Sequence, residues 1–185
     1  MPGLIAQPVQ VPRLETERLI LRGHHLDDFA QSAAMWADEN VTRYIRTKPF
    51  SEEESWTRFL RFAGHWSHMG FGYWAVEDKQ SGEFVGEVGF ADYKREMEPS
   101  LKGVPEIGWV LTPSVRGMGY ACEAVRAATA WGDAHFGAAR TACIVAPENV
   151  ASIRVATKCG YRERQLAAYK GDTVLLFVRE PKPQT

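Results

Sequence analysis

The stretch from Thr112 to Cys122 has the composition of a loop that binds an anion. An apolar run that ends at Leu111 leads through a proline-containing turn to Arg116. Gly117 and Gly119 follow, just before the pattern of a helix. Glycine lets the backbone approach a phosphate without a Cβ in the way, and the N-terminus of a helix adds about half a positive charge. The spacing therefore predicts a site for a phosphorylated ligand at the start of this helix.

Two loop patterns compete for this segment. A dinucleotide-binding loop needs G-x-G-x-x-G, and here the first two glycines are present but Cys122 stands in place of the third. Glu148, which follows the next apolar run, is the candidate for the acidic residue that would bind the ribose, and its position fits that role poorly. The alternative pattern, R/Q-x-x-G-x-G/A, is met in full by Arg116, Gly119 and Ala121. The second pattern is therefore favoured.

Further motifs occur in a set order along the chain. They lie at residues 14–22, 84–89, 106–111, 147–155 and 160–161. In this order, together with the loop, they resemble the GNAT N-acetyltransferases, which bind acetyl-coenzyme A. Within that superfamily they resemble the RimJ/RimL branch of ribosomal-protein N-acetyltransferases. The resemblance covers roughly residues 13 to 180, which is nearly the whole chain.

The resemblance implies where the co-substrate acetyl-coenzyme A lies. In the family, the strand before the loop splays from its neighbour, and its free backbone groups hold the pantetheine arm like an added strand. A free N–H near Val110 would polarise the thioester carbonyl, the interaction that usually contributes most to acyl transfer. The residues implied to bind the coenzyme are Trp109, Val110, Leu111, Arg116, Gly117, Met118, Gly119, Tyr120, Ala121, Cys122 and Asn149.

Asn149 and Ser152 each have two interpretations. Asn149 opens a helix and is a standard N-cap residue, but the matching asparagine of the family reaches the coenzyme arm, and we favour the ligand contact. Ser152 completes the cap region or faces the thiolate leaving group as a general acid. Many relatives have a tyrosine where this chain has Ala156. This departure leaves the proton donor unassigned, and Ser152 is the candidate.

The general base is predicted among strand carboxylates. A primary alkylamine with a pKa near about 10.4 needs more help to lose its proton than an α-amino group near about 8. Glu106 and then Glu87 are the candidates, because they lie on the strands closest to the expected thioester. For each residue, we favour a solvated or paired strand carboxylate over a catalytic base. Direct attack with proton loss through water would need neither.

Hydrophobic periodicity and turn residues place these motifs on a series of strands and helices. Ser51 and Glu54 form a capping-box pattern at the start of one helix. We predict an α/β (α+β) single-domain fold of the GNAT type, in which a mixed, mostly antiparallel sheet of about seven strands is flanked by about four helices. The predicted strands are 19–22, 73–78, 84–93, 106–111, 141–145, 161–169 and 173–180, and the predicted helices are 27–38, 52–68, 121–136 and 149–159.

Composition limits the partners. A chain of 185 residues, 45% hydrophobic, suits one domain over residues 1–185, with flexible tails at 1–12 and 181–185. The 22 Lys+Arg nearly balance the 23 Asp+Glu, so no global field would hold nucleic acid or an anionic membrane. The sequence shows the pattern of neither a signal peptide nor a membrane span. We expect a cytoplasmic monomer or homodimer.

Neither cysteine nor histidine residues suggest a metal or redox site. The three cysteines form no C-x-x-C pair and are expected to be buried thiols in a reducing compartment. Cys122 lies where a helix dipole could lower its pKa, so a thiol nucleophile stays a remote alternative. The histidine pairs His24-His25 and His65/His68 lack further ligands at zinc spacing, and no metal is predicted.

These observations predict an N-acetyltransferase that moves acetyl from acetyl-coenzyme A to a primary amine in a ternary complex. The favoured acceptor is a protein or peptide N-terminal α-amine. A small amine such as an aminoglycoside or polyamine is the first alternative. A non-catalytic acyl-coenzyme A sensor on the same fold is the second, and a dinucleotide-binding oxidoreductase is the third.

Overall fold

One mixed sheet of eight strands runs through residues 10–181, the part of the chain that the computed structural model describes. The spatial order is β1-β2-β3-β4-β5-β6-β8-β7. Every neighbouring pair is antiparallel except β5 and β6, which are parallel. The strands are β1 (Leu14–Glu15), β2 (Leu19–Arg22), β3 (Tyr73–Asp78), β4 (Phe84–Ala91), β5 (Glu106–Leu111), β6 (Thr141–Val145), β7 (Arg162–Tyr169) and β8 (Asp172–Arg179).

Five α-helices accompany the sheet in the described residues. They are α1 (Phe29–Ala37), α2 (Glu39–Thr42), α3 (Glu52–Met69), α4 (Tyr120–His135) and α5 (Val150–Lys158). The predicted single-domain GNAT-type fold with a mixed, mostly antiparallel sheet is confirmed. The predicted numbers, about seven strands and about four helices, each fall one short. The additional elements are β1 and α2, which are too short to show a hydrophobic period.

The longest helix, α3, begins at a capping box and ends at a glycine. The Ser51 hydroxyl accepts a hydrogen bond from the Glu54 N–H at 3.2 Å, and the Glu54 carboxylate accepts one from the Ser51 N–H at 2.9 Å. Gly70, with a φ of 70°, closes the helix in the left-handed conformation. The predicted capping box is therefore present.

The sheet has two covered faces that differ in chemistry. On the α4 face, buried aliphatic side chains such as Val88 and Ile107 pack against the small residues Ala124 and Ala128 of the helix. The opposite face, which we call the α1/α3 face, carries Trp36 of α1 and other aromatic side chains, together with polar and charged groups. Because side chains alternate along a strand, the strand register assigns each residue of β4 and β5 to one of these faces.

Strand β5 splays from β6 after a single paired position. Glu106 is registered with Ala142, and the Ala142 N–H donates to the Pro105 carbonyl at 3.1 Å. Farther along, β5 keeps its pairing with β4 as far as Leu111, whereas β6 pairs with β8. One edge of β5 is therefore left without a strand partner, as the resemblance implies.

The N-terminal part of the described chain packs against the body of the protein. Val11 lies against Gly23, and the Trp74 indole N–H donates to the Pro12 carbonyl at 2.8 Å. Of the predicted tails, residues 1–9 and 182–185 lie outside the described residues. No helix within residues 10–181 is both long enough and apolar enough to cross a membrane.

Candidate active site

The loop between β5 and α4 depends on two glycines. A short 3₁₀ turn at Pro113–Val115 leads into Gly117 and Gly119, whose φ angles of 77° and 82° lie in the left-handed region that favours glycine. Gly119 is the N-cap of α4. Helix geometry leaves the N–H groups of the first turn without intrahelical partners. The loop therefore presents exposed backbone donors at the positive end of a sixteen-residue helix.

Side chains outside the predicted motif hold this loop in place. Arg18, which precedes β2, donates to the Met118 carbonyl at 2.8 Å and pairs with Glu123 of α4 at 2.6 Å. Glu123 also accepts from the Thr16 hydroxyl at 2.6 Å. Arg116 donates to the Asn40 carbonyl at 2.8 Å, which ties the loop to α2. No role was predicted for Arg18 or Glu123, because these two partners are 105 positions apart in the sequence.

Strand register decides which amides of β5 face the open edge. The Thr112 N–H donates to the Val85 carbonyl at 2.9 Å, and Val110 is registered with Glu87. Hydrogen-bonded and non-bonded pairs alternate along an antiparallel ladder, so the Val110 N–H points to β4. The N–H groups of Trp109 and Leu111 consequently point to the unpaired edge. The free amides near Val110 are thus those of its two neighbours.

Asn149 is an N-cap residue in this structure. Its side-chain oxygen accepts from the Ser152 N–H at 3.1 Å at the start of α5. The amide nitrogen of the same side chain remains a donor. Ser152 is half-buried in the first turn of α5, and Ala156 one turn later is fully buried. A tyrosine at position 156 would therefore need space that this core does not have.

Glu87 lies on the α1/α3 face and is fully buried. It accepts hydrogen bonds from the Ser32 hydroxyl at 2.6 Å and the Trp36 indole N–H at 3.0 Å. The His24 Nε2 and Arg58 Nε atoms approach its two oxygens at 3.7 Å and 3.9 Å. Burial opposes ionisation, but His24, Arg58 and Ser32 outweigh it and hold the pKa of the Glu87 carboxyl below its ordinary value. The four side chains around Glu87 were not predicted.

Glu106 makes a bidentate ion pair. Both of its oxygens accept from the Arg95 guanidinium at 2.7 Å. Arg95 in turn stacks over the rings of Tyr93 and Tyr169, each about 4.6 Å from its centre. Burial alone would lower the pKa of Arg95, but its bonds to Glu106 raise it. Of the two interpretations of Glu106, the paired strand carboxylate is the one that this geometry displays.

The Tyr73 side chain lies across Gly89 of β4 and approaches Gly108 of β5. This contact was not predicted from the sequence. In the sheet register Tyr73 stands beside Gly89, which stands beside Gly108. A Cβ on Gly108 would lie 2.0 Å from the Tyr73 hydroxyl, so only glycine fits there. That hydroxyl accepts from the Tyr93 hydroxyl at 3.1 Å, and burial raises its pKa well above the ordinary value. Glycines inside two adjacent strands were the available signal for this close approach.

Burial disfavours the thiolate form of two cysteines, Cys143 and Cys159. Cys143 is buried, and burial raises the pKa of its thiol. Burial, with Cys122 nearby, raises the pKa of Cys159 to about 12. Within residues 10–181, no three His, Cys, Asp or Glu side chains are grouped as metal ligands.

A glycine loop at a helix N-terminus, beside a strand with one free edge, is a geometry suited to a phosphorylated carrier with an extended arm. The comparisons agree, since the acetyltransferase (GNAT) domain family matches residues 18–162. The chain belongs to this family and is an acyltransferase.

Individual relatives support the same assignment. The N-acetyltransferase YoaA of Bacillus subtilis (strain 168), itself uncharacterized, is 28% identical over 82% of this chain and 84% of its own length. The crystal structure of an acetyltransferase from Agrobacterium tumefaciens str. C58 superposes with a TM-score of 0.79 at 26% identity, covering 92% of this chain and 95% of that one. RimL, a ribosomal L7/L12 alpha-N-protein acetyltransferase solved in complex with coenzyme A, shares the fold with a TM-score of 0.74 at 15% identity, over 91% and 98% of the two chains.

Proposed function

We propose that this acetyltransferase moves the acetyl group of acetyl-coenzyme A to the α-amine of a peptide or protein N-terminus, by direct attack in a ternary complex. The observation that carries the proposal is the free edge of β5, which ends in the loop with left-handed Gly117 and Gly119. An extended pantetheine arm adds to such an edge as a strand would, and its pyrophosphate meets the helix N-terminus.

The coenzyme is held mainly by the backbone. The pyrophosphate accepts from the amides of the loop and of the first turn of α4, with Arg116 beside it. The pantetheine arm runs along the free edge of β5, where the N–H groups of Trp109 and Leu111 are available. The Asn149 side chain, which follows β6 at the start of α5, offers its amide nitrogen as a further donor. The full set of proposed coenzyme residues is Trp109, Val110, Leu111, Arg116, Gly117, Met118, Gly119, Tyr120, Ala121, Cys122 and Asn149.

The reaction needs one bond made and one broken. The amine nitrogen attacks the thioester carbonyl carbon, and a β5 amide stabilises the oxyanion. The carbon–sulfur bond then breaks, and Ser152 is the candidate that protonates the thiolate. The amine gives up its own proton. Glu106 and Glu87 stay the candidate bases, but both already accept strong hydrogen bonds, which favours proton loss through water.

An α-amine suits a site without a dedicated base. With a pKa near about 8 it is partly unprotonated at neutral pH, whereas an alkylamine near about 10.4 is not. The fold shared with RimL is compatible with a peptide acceptor. The occupied carboxylates, together with Ala156 in place of tyrosine, support one competing function, a non-catalytic acyl-coenzyme A sensor.

One assay separates these functions. Coenzyme A thiol release is measured with acetyl-coenzyme A and three acceptor classes: peptides with a free small N-terminal residue, a polyamine, and an aminoglycoside. We expect peptides to be the best substrates, with rates that rise through the pKa of the α-amine. A clear preference for spermidine or an aminoglycoside would reject the N-terminal acceptor. Binding of acetyl-coenzyme A without turnover of any amine would favour the sensor.

A further inference from the structure

Three arginines of the α1/α3 face, Arg58, Arg61 and Arg95, lie near the free edge of β5. Tyr73 lies against β5 at Gly108, and the Tyr93 hydroxyl donates to the Tyr73 hydroxyl. The guanidinium of Arg61 lies 5.3 Å from the centre of the Tyr93 ring, and that of Arg58 lies 5.9 Å from the centre of the Tyr73 ring. Cations thus surround the tyrosine pair that contacts the proposed acetyl-transfer strand.

These arginines differ in how far their charge is balanced. Arg95 is neutralised by its bidentate pair with Glu106. Arg58 stands 3.9 Å from Glu87, and its buried Nε atom has no hydrogen-bond partner within the described residues. Arg61 is exposed, and no carboxylate of residues 10–181 lies within 4.0 Å of its guanidinium.

Arg61 brings its charge close to the tyrosine pair that lies beside β5. It projects from α3 toward Tyr93, whose ring also stacks with Arg95. Arg95 extends the contact to Tyr169 at the end of β7. Arg61 and Arg95 thus place two cations around the Tyr93 ring. Partial burial of this exposed side chain, with repulsion from Arg58 and Arg95, lowers the pKa of Arg61, so a bound anion would relieve an existing repulsion.

We infer that the acceptor carries a carboxylate close to its reacting amine, and that Arg61 binds this carboxylate. For the peptide acceptor proposed above, on which this inference rests, the carboxylate is an acidic side chain next to the N-terminal residue. A planar guanidinium binds a carboxylate through two parallel N–H···O bonds, which fixes orientation as well as charge. The same field repels polyamines and aminoglycosides, which have several positive charges.

The test uses three peptides that differ only at the second position. Each begins with serine, followed by aspartate, asparagine or lysine, and ends in an amide so that no other carboxylate is present. For the wild-type protein we expect kcat/KM to be about tenfold higher with aspartate than with asparagine, and lowest with lysine. Raising the salt concentration should reduce this ratio, because the guanidinium is exposed.

Substitution of Arg61 assigns the selectivity to one side chain. Arg61→Gln should bring the aspartate and asparagine peptides to within about twofold of each other, chiefly through a higher KM for the aspartate peptide. Arg61→Glu should make the lysine peptide the best of the three. The matched control is Arg164→Gln, an exposed arginine of β7 paired with Glu180, which should leave the ratios unchanged.

The outcomes distinguish this inference from the proposed function. Equal kcat/KM for all three peptides, or equal losses for all three in Arg61→Gln, would overturn the carboxylate selectivity while leaving N-terminal acetylation intact. Turnover of free amino acids but of no peptide, with the same dependence on Arg61, would reject the peptide acceptor and uphold the carboxylate. Absence of turnover with every acceptor would overturn both.

Discussion

The two parts of the proposed site are built from different atoms. The coenzyme part uses backbone amides of one continuous segment, residues 109–122, which depends on Gly117 and Gly119. The α1/α3 face uses side chains from α1, α3, β3, β4 and β5, packed into ion pairs and aromatic contacts. In the proposed function, backbone groups bind the phosphorylated carrier and the side-chain network selects the acceptor. We therefore expect that affinity for the coenzyme and selectivity for the acceptor can be altered separately.

The largest expected effect is a loss of affinity for acetyl-coenzyme A, and a control variant separates this loss from the effect of backbone strain. Gly119→Val places a branched side chain where the pyrophosphate passes and should weaken acetyl-coenzyme A binding more than 100-fold, as measured by calorimetry. Gly82→Val is the matched control, because Gly82 is also left-handed, with a φ of 72°, and lies in the β3–β4 turn. Both variants should lose about 1–2 kcal/mol of unfolding free energy from the positive φ. Tight NAD binding without a response to coenzyme A would instead support a dinucleotide site.

The second prediction concerns the buried charge of the α1/α3 face. Glu87→Gln leaves Arg58 and His24 near a neutral amide and should cost about 3 kcal/mol of unfolding free energy, measured by denaturant titration at pH 7. Coenzyme binding should be unchanged, since no loop residue contacts Glu87.

The same variant tests the pKa of Glu87 through pH. Its pKa in the folded protein lies below the ordinary value of 4.5, so the native state stabilises the charged form. The stability contributed by ionisation is fully present above about pH 5 and is lost as the pH falls through the folded pKa. The difference between wild type and Glu87→Gln should therefore be constant from pH 7 to about pH 5 and shrink below pH 4.5. A difference that grows on acidification would contradict the lowered pKa.

The third prediction tests the contact between Tyr73 and Gly108, where the α1/α3 face meets β5. Gly108→Ala places a Cβ 2.0 Å from the Tyr73 hydroxyl and should cost about 1–3 kcal/mol of unfolding free energy. Tyr73→Phe removes that hydroxyl and should restore much of the loss in the double variant. A double-mutant cycle of thermal stability measures the coupling. Additive losses would show that the hydroxyl does not occupy the space above Gly108.

The smallest expected effects lie at the start of α5. Asn149→Ala removes a helix cap and should cost about 1 kcal/mol of stability while raising KM for acetyl-coenzyme A. Ser152→Ala should instead lower kcat more than it raises KM, if Ser152 protonates the leaving thiolate. Steady-state kinetics with thermal melts decide between these roles. Unchanged kinetics in both variants, with a loss of stability in Asn149→Ala, would leave Asn149 as a capping residue and Ser152 without a catalytic role.

Much of the geometry of the loop between β5 and α4 was predictable because its signals are local. The left-handed glycines and the first turn of α4 lie within a few consecutive residues. The capping box at Ser51 and Glu54 is likewise a local signal, and it marks the start of α3. The helices and strands of four or more residues, except α2, were predicted to within about two residues at most ends. The prediction missed α2 and β1, since elements this short have no measurable period and depend on tertiary contacts.

The sequence alone determined the family, the fold class and the segment proposed to bind the coenzyme, because each depends on residue types at fixed spacing. Only the tertiary structure decided the state of the charged groups. The partners of Glu87 and Glu106 lie eleven to sixty-three positions away in the chain, and no local pattern pairs them. Sheet register likewise decided that the amides beside Val110, and not its own, face the free edge of β5. Distances between side chains set their charge and their partners, and those distances are created only when the sheet and its helices pack together.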